Sequence, residues 1–98
     1  MPPILLTLLT RRDCCLCEDM ETVIGEVAAD VPFEIETVDV DTDPELRARY
    51  GDAVPVLLVN GRMAFKYRVT AAALRSRLRA EERRQGSSIW RRFLTRSR

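Results

Sequence analysis

A chain of 98 residues, of which 46% are hydrophobic and 32% charged, is long enough for one compact domain with a modest core and too short for two. Its apolar runs fall far short of the roughly 20 residues that a membrane-spanning helix needs, and its N-terminus lacks the order of segments of a secretory signal peptide. Three clustered cysteines, Cys14, Cys15 and Cys17, do not suit the disulfide framework of a small secreted domain. We therefore expect a cytoplasmic protein whose thiols are reactive or bind metal.

The net charge of +1 conceals two parts of opposite charge. Residues 1–74 carry seven basic and thirteen acidic side chains, a net charge of −6, whereas residues 75–98 carry nine arginines and two glutamates, a net charge of +7. Charge runs of this kind are usually solvated surface, so we do not expect a nucleic acid partner.

The first predicted elements are a strand, a helix and a second strand. Residues 4–9 form an almost continuous apolar run, which is typical of a central strand buried on both faces. From Cys14 to Val27 apolar residues recur every three or four positions, which predicts an amphipathic helix with the cysteines in its first turn. Residues 33–40 predict a half-exposed strand, and because its alternation shifts near Thr37 we expect a bulge or an edge position there.

A short helix and a hairpin follow. Residues 43–46 read Asp-Pro-Glu-Leu, an acidic N-cap followed by proline at the first helical position, and Gly51 suits the end of this helix. Residues 54–59 and 62–67 are strand-like runs on either side of Asn60-Gly61, the strongest short sequence signal for a hairpin.

The last helix is predicted to begin at Thr70, its cap, and to end near Gly86. This gives a domain over residues 1–86 and a basic tail over residues 87–98. A helix in the tail would have one apolar face formed by Ile89, Trp90, Phe93 and Leu94. Such a segment could dock on a partner, an anionic membrane surface or nucleic acid, or pack back onto the domain.

Four short stretches carry a family resemblance: Thr10-Arg11, Cys14-Cys15-Leu16-Cys17, Asp43-Pro44-Glu45-Leu46 and Val54-Pro55-Val56-Leu57. Together with the order of the predicted elements over residues 4–85, these stretches resemble those of small glutaredoxin-like proteins, which have the thioredoxin fold. The resemblance implies an α/β fold with a four-stranded mixed sheet of order 2-1-3-4 flanked by helices, and Pro55 in cis beside the cysteine pair. It also implies an electron-transferring thiol-disulfide oxidoreductase.

The spacing of Cys14 and Cys17 suits redox chemistry. Cysteines three apart in a first helical turn lie on the same side, within the roughly 4.4–6.8 Å between Cα atoms that a disulfide allows. The unpaired N–H groups and the dipole of the helix favour a thiolate at Cys14 and lower its pKa from about 8.5. We therefore predict that Cys14 attacks a substrate disulfide and that Cys17, deeper in the helix, resolves the mixed disulfide.

Charged neighbours act on Cys14 in both directions. Arg11 and Arg12 should stabilise its thiolate. Three acidic side chains should oppose it: Asp13, Glu18 and Asp19. We therefore expect only a moderate lowering of the pKa of Cys14.

The thiols offer few ways to bind a metal. The chain has no histidine and three cysteines, whereas a structural zinc site takes four ligands, so we predict no metal site. Two chains could instead share a [2Fe-2S] cluster, which makes a binding or cluster-carrying module the non-enzymatic alternative. Cys15 points away from Cys17 by its helical phase, and we predict no part for it in turnover.

The resemblance also implies how a substrate binds. The backbone of Val54 beside Pro55 would pair with an extended peptide or with glutathione as an added strand, and Arg11 matches a basic position near the glutathione carboxylate. The Gly-Gly-Asp stretch that usually precedes the last helix is missing, and Arg68 or the helix cap at Thr70 stands in its place. We expect no bound cofactor. Protein disulfides or glutathione mixed disulfides are the predicted substrates, and glutathione and a reductase both stay open as the recycling reductant.

Overall fold

The computed structural model describes residues 3–96, with side chains over residues 3–85. The elements in chain order are β1 (Leu5–Thr10), α1 (Cys15–Ala28), β2 (Glu34–Asp39), α2 (Pro44–Tyr50), β3 (Val56–Val59), β4 (Arg62–Lys66) and α3 (Ala71–Arg96). A 3₁₀ turn at Val40–Thr42, which the sequence did not predict, joins β2 to α2. No helix among residues 3–96 is both long enough and apolar enough to cross a membrane.

The four strands form one mixed sheet in the order β2-β1-β3-β4. β1 pairs in parallel with β2 and antiparallel with β3, and β3 pairs antiparallel with β4. This is the α/β architecture and strand order that the resemblance implied, and both are confirmed. β1 lies inside the sheet, which explains why its sequence is apolar almost throughout.

The core has two parts, one on each face of the sheet. Leu6 and Leu8 of β1 pack with buried residues of α1 and α3, among them Met20 and Leu74. Leu9 points to the opposite face because side chains alternate along a strand, and it packs with Val40, Val56 and the half-buried Leu46 and Tyr50 of α2. The long helices therefore cover one face, and α2 covers part of the other.

The irregularity expected near Thr37 lies elsewhere. The register of β1 with β2 is continuous, with Leu8 opposite Thr37, so the edge position is confirmed and the bulge at this site is wrong. An edge strand has one neighbour and need not alternate strictly. The break is between β3 and β4, where Leu57 lies opposite Phe65 and Leu58 opposite Met63, leaving one extra residue on β4.

The predicted end of the last helix is also wrong. Helix α3 continues through Gly86 to Arg96. Glycine inside a helix costs about 1 kcal/mol relative to alanine and does not by itself end the helix. The side chains of the proposed apolar face, Ile89, Trp90, Phe93 and Leu94, lie outside the described side chains, and the division at residue 86 stays a prediction.

Asn60 joins three elements at the end of the sheet where β1 begins. It and Gly61 have φ angles of 49° and 84°, the left-handed pair expected of a tight hairpin turn. The Asn60 amide oxygen accepts a hydrogen bond from the Leu5 N–H at 2.9 Å, and its amide nitrogen donates to the Glu81 carboxylate at 2.8 Å. One side chain therefore connects the hairpin to β1 and α3.

Glu81 is charged and only 7% exposed. Besides the bond from Asn60, its carboxylate accepts one from Arg77 at 2.9 Å. The hydrogen bond from Asn60, helped by Arg77, outweighs the effect of burial and lowers the pKa of Glu81. Because the folded pKa lies below the ordinary value, Glu81 stabilises the fold above about pH 4.3, and this contribution is lost as the pH falls through the folded pKa.

We expect Glu81→Gln to lower the free energy of unfolding at pH 7 by about 1–2 kcal/mol, because the amide has one acceptor oxygen for two donors, so one of the hydrogen bonds from Asn60 and Arg77 is lost. Urea denaturation of both proteins from neutral pH to about pH 3 measures this, and the difference should shrink as wild-type Glu81 becomes protonated. Glu82→Gln is the matched control, since no hydrogen bond or ion pair of Glu82 is found among the described side chains. A difference that stays constant over this pH range would contradict the assignment.

Candidate functional site

Cys14 and Cys17 form a disulfide where β1 leads into α1. Their Cα atoms are 5.3 Å apart, so the pairing predicted from the spacing is present. Cys14 is the N-cap of α1, with extended backbone angles (φ −104°, ψ 103°). Its Sγ and its carbonyl oxygen both accept from the Cys17 N–H, each at 3.2 Å. The sulfur therefore takes the place that a serine or aspartate oxygen usually has at a helix start.

The three cysteines differ in exposure. Cys14 is half-buried, Cys17 is 4% exposed, and Cys15 is an exposed free thiol at the first residue of α1. A second molecule can therefore reach the sulfur of Cys14 more easily than that of Cys17. The roles of nucleophile and resolving thiol stay predictions.

The turn before Cys14 depends on a left-handed residue. Asp13 has φ 58°, a conformation that costs a residue with a Cβ roughly 1 kcal/mol and that aspartate tolerates better than most. It lies in the turn at residues 12–13, between the end of β1 and Cys14. No motif in the sequence predicts this left-handed conformation.

Pro55 lies at the same end of the sheet as the cysteine loop. The antiparallel register places Val56 opposite Leu9, so Pro55 enters β3 where the chain leaves β1 toward Cys14. The Val54–Pro55 peptide bond is cis, as the resemblance implied. Pro55 is buried and its carbonyl accepts from the Tyr67 N–H at 2.8 Å.

Val54 leaves its backbone open beside this proline. It lies outside β3, and in the described part of the chain neither its N–H nor its carbonyl oxygen has a backbone partner. An extended chain could therefore pair with Val54 by adding a strand. The predicted roles of Val54 and Pro55 in substrate binding rest on this placement and stay predictions.

Arg11 connects the cysteine loop to the segment around α2. Its Nε lies 3.2 Å from an Asp41 carboxylate oxygen, and its terminal nitrogen donates to the Gly51 carbonyl at 3.3 Å. Asp41 also lies 3.9 Å from the Arg47 guanidinium. The charge of Arg11 is thus largely compensated by Asp41, a contact over 30 residues that the sequence analysis missed. Its predicted contact with a substrate carboxylate stays a prediction.

Gly51 is required here for space. It follows α2 as predicted, but its φ of −54° is right-handed, so the left-handed conformation is not the reason for glycine. A Cβ at this position would lie 2.5 Å from the Arg47 carbonyl oxygen. The Gly51 N–H donates to the same Arg47 oxygen at 2.9 Å, and the Gly51 carbonyl accepts from Arg11.

Other charged side chains around the helix start point to solvent. Arg12, Asp13, Glu18 and Asp19 are exposed, and no ion pair of these four is found within residues 3–85. The surface around Cys14 therefore has three acidic groups against one arginine, besides the compensated Arg11.

We expect Asp41→Asn to increase the alkylation rate of reduced Cys14 about twofold at low ionic strength. Arg11 is three residues from Cys14, so their Cα atoms are at most about 10 Å apart, and an uncompensated charge about 10 Å from a thiolate in water contributes about 0.4 kcal/mol toward it. Iodoacetamide kinetics against pH, with Cys15 and Cys17 replaced by serine, measure the effect. It should diminish at 0.1 M salt, where the screening length is about 10 Å.

Glu45→Gln is the matched control for this measurement. It removes the same charge from an exposed position on α2 without touching Arg11. Equal rates for Asp41→Asn and Glu45→Gln would show that the Arg11 contact has no specific influence on Cys14.

Comparisons with known proteins agree with this geometry. The family model described as Glutaredoxin-like domain (DUF836) matches residues 5–79. An uncharacterized protein of Mycobacterium tuberculosis is 35% identical over 74 residues, which cover 70% of this chain and 76% of that protein. The crystal structure of a structural genomics target protein from X. campestris is 34% identical, with a TM-score of 0.65 over 76% of this chain and 96% of that one.

A mutant thioredoxin from Halobacterium salinarum is similar in fold. It is 22% identical, with a TM-score of 0.59 over 80% of this chain and 74% of that chain, which supports the fold alone. The chain has the thioredoxin fold and belongs to the Glutaredoxin-like domain (DUF836) family.

Proposed function

We propose that the protein is a thiol-disulfide oxidoreductase that carries out dithiol exchange through Cys14 and Cys17. The observation that supports this most directly is the pair itself: a half-buried sulfur at a helix N-terminus within disulfide distance of a buried one. The family and the thioredoxin fold agree with such chemistry.

The reduced protein would act in two exchange steps. The Cys14 thiolate attacks one sulfur of a substrate disulfide, that S–S bond breaks, and the leaving sulfur takes up a proton as a thiol. Cys17, deprotonated in turn, then attacks the Cys14 sulfur and releases the second substrate sulfur as a thiol. Two electrons pass to the substrate, and the Cys14–Cys17 disulfide remains for a thiol reductant to reduce.

The helix start favours Cys14 as the attacking group. In the thiolate form its sulfur would keep the hydrogen bond from the Cys17 N–H and would lie at the positive end of the α1 dipole. Cys17 lies within the first turn and is shielded from bulk solvent, which suits a thiol that reacts only with the neighbouring mixed disulfide.

The substrates we propose are protein disulfides or glutathione mixed disulfides, held as an added strand along Val54. Glutathione or a separate reductase would restore the dithiol, in the cytoplasmic location that we propose from the arrangement of the cysteines. Arg11 would act at this site mainly by tying the cysteine loop to the α2 segment, since its guanidinium contacts Asp41 and Gly51.

Serine variants of the three cysteines test the mechanism. We expect Cys14→Ser to abolish turnover, because the attacking sulfur is lost. Cys17→Ser should still react with a protein disulfide but stop at the mixed disulfide, which mass spectrometry of the trapped species detects. Cys15→Ser should keep turnover within about twofold of wild type, since Cys15 is exposed and outside the pair.

Two measurements separate this proposal from its alternative: the reduction potential of the pair with its exchange activity, and the absorption spectrum of the protein. A Cys14–Cys17 pair that oxidises reversibly but exchanges with neither a protein disulfide nor a glutathione mixed disulfide would contradict the proposed oxidoreductase activity. Cluster absorption bands in anaerobically purified protein would instead favour the [2Fe-2S]-carrying module.

A further inference from the structure

The face of the sheet that carries α2 is covered at one end and open at the other. Near the cysteine pair, Leu9 packs against α2. Toward the start of β1, Leu5 lies on the same face by strand alternation and is 36% exposed. Met63 of β4 lies opposite Leu58 on this face and is 54% exposed. We call the surface formed by Leu5, Leu58 and Met63 the open patch.

Two glutamates of β2 border the open patch. The register of β1 with β2 places Glu34 beside Leu5 and Glu36 beside Thr7, whose hydroxyl donates to Glu36 at 2.9 Å. Both glutamates are exposed, and neither forms an ion pair with a side chain that the structure describes. Lys66, the basic residue of β4 on this face, lies toward the end that α2 covers. The open patch is therefore apolar with an acidic border.

A partner for such a surface needs an apolar face and positive charge. The basic tail, residues 87–98, has both and carries no acidic residue. Its apolar positions recur with the spacing of one helix face: Ile89, Trp90, Phe93 and Leu94. Four arginines surround them: Arg91, Arg92, Arg96 and Arg98. The tail thus matches the open patch in both properties.

Helix α3 carries the tail away from the open patch of its own chain. Its buried residues Leu74 and Leu78 pack on the opposite face of the sheet. Gln85, the last residue of α3 with a described side chain, lines a cavity with Pro3 and Pro32 at the end of the sheet. The helix continues to Arg96, and residues 86–96 add about 16 Å to its length. Folding back onto its own patch would require the helix to break.

The helical phase of the tail also differs from that of the core-facing side of α3. At about 100° per residue, the four apolar tail positions are centred about 110° away from Leu74 and Leu78. The apolar tail positions therefore do not continue the seam that packs on the domain. A continuous α3 instead makes them available to a second copy of the chain.

Two reciprocal contacts of this kind bury enough surface for a stable dimer. A tryptophan and a phenylalanine together bury about 300–500 Å². With a similar area on the receiving patch, and the contact made twice, the total is roughly 1,200–2,000 Å², which is the size of a standard protein interface.

We propose that the protein forms a two-fold symmetric dimer in which the basic tail of each copy docks on the open patch of the other. The apolar tail positions cover Leu5, Leu58 and Met63, and the arginines face Glu34 and Glu36. Both copies make the same contact, as two-fold symmetry requires. The proposal is independent of the dithiol exchange, because the open patch lies at the end of the sheet away from the cysteine pair.

Charge reversal tests the contact in the full-length chain. One variant carries Glu34→Lys with Glu36→Lys, and a second carries Arg91→Glu with Arg92→Glu. Sedimentation equilibrium in a thiol reductant, which prevents linkage through the exposed Cys15, should give wild-type protein a mass close to twice the 11.2 kDa of one chain. Each variant alone should have a dissociation constant raised at least about tenfold, because like charges then face each other.

Mixing the two variants distinguishes exchange between copies from folding back. In an equimolar mixture each tail meets a patch of opposite charge only on the other variant, so dimers should form again. The matched control is Glu21→Lys with Glu26→Lys, which reverses two exposed charges on α1 and should keep the dissociation constant within about twofold of wild type. Urea denaturation confirms that all variants are folded.

Three results would overturn the proposal. The first is wild-type protein that stays monomeric at a concentration of several hundred micromolar, including a monomer that binds vesicles of anionic phosphatidylglycerol. The second is a dimer whose dissociation constant is the same after reversal of the glutamates, which would place the interface elsewhere. The third is a mixture of the two variants that remains monomeric, which would show that the tail does not dock on a second copy.

Discussion

The antiparallel pairing of β1 with β3 is the constraint on which the site depends. It brings the exit of β1 toward Cys14 and the entry of β3 from Pro55 to one end of the sheet. Burial holds this register, because Leu8 and its partner Leu57 are fully buried on the face covered by α1 and α3. A slip of one residue would move Leu8 or Leu57 away from the face covered by α1 and α3 and disrupt its packing there. The hydrophobic core thus determines where the sulfur atoms lie relative to the proline.

The elements and the cysteine pair could be predicted because their signals are local. The apolar run of β1, the spacing of α1, the cap at Asp43 and the Asn60-Gly61 turn each depend on a few neighbouring residues, and the structure has an element at each place. The cis bond before Pro55 is different, since only about 5% of such bonds in folded proteins are cis. That prediction came from the resemblance.

The features that the sequence did not reveal depend on contacts between distant residues. Arg11 contacts Asp41, 30 residues away in the sequence, and Asn60 contacts Glu81, 21 residues away. No periodic pattern in the sequence predicts either contact. No sequence pattern predicts the left-handed backbone of Asp13 and Tyr67 either, because both residue types usually have negative φ angles. The end of α3 differs from the prediction for another reason: a glycine inside a helix weakens the helix without ending it.

The two ends of the sheet have different properties. At the end where β1 begins, Asn60 and the buried Glu81 link the hairpin, β1 and α3 through satisfied hydrogen bonds. At the other end the backbone of Val54 is unpaired, and Asp13 and Tyr67 have left-handed angles. Strained or unpaired groups persist only where surrounding structure compensates their cost. The satisfied network lies a full strand away from Pro55, so the end that would contact a substrate can keep its half-buried sulfur and open backbone while the fold remains intact.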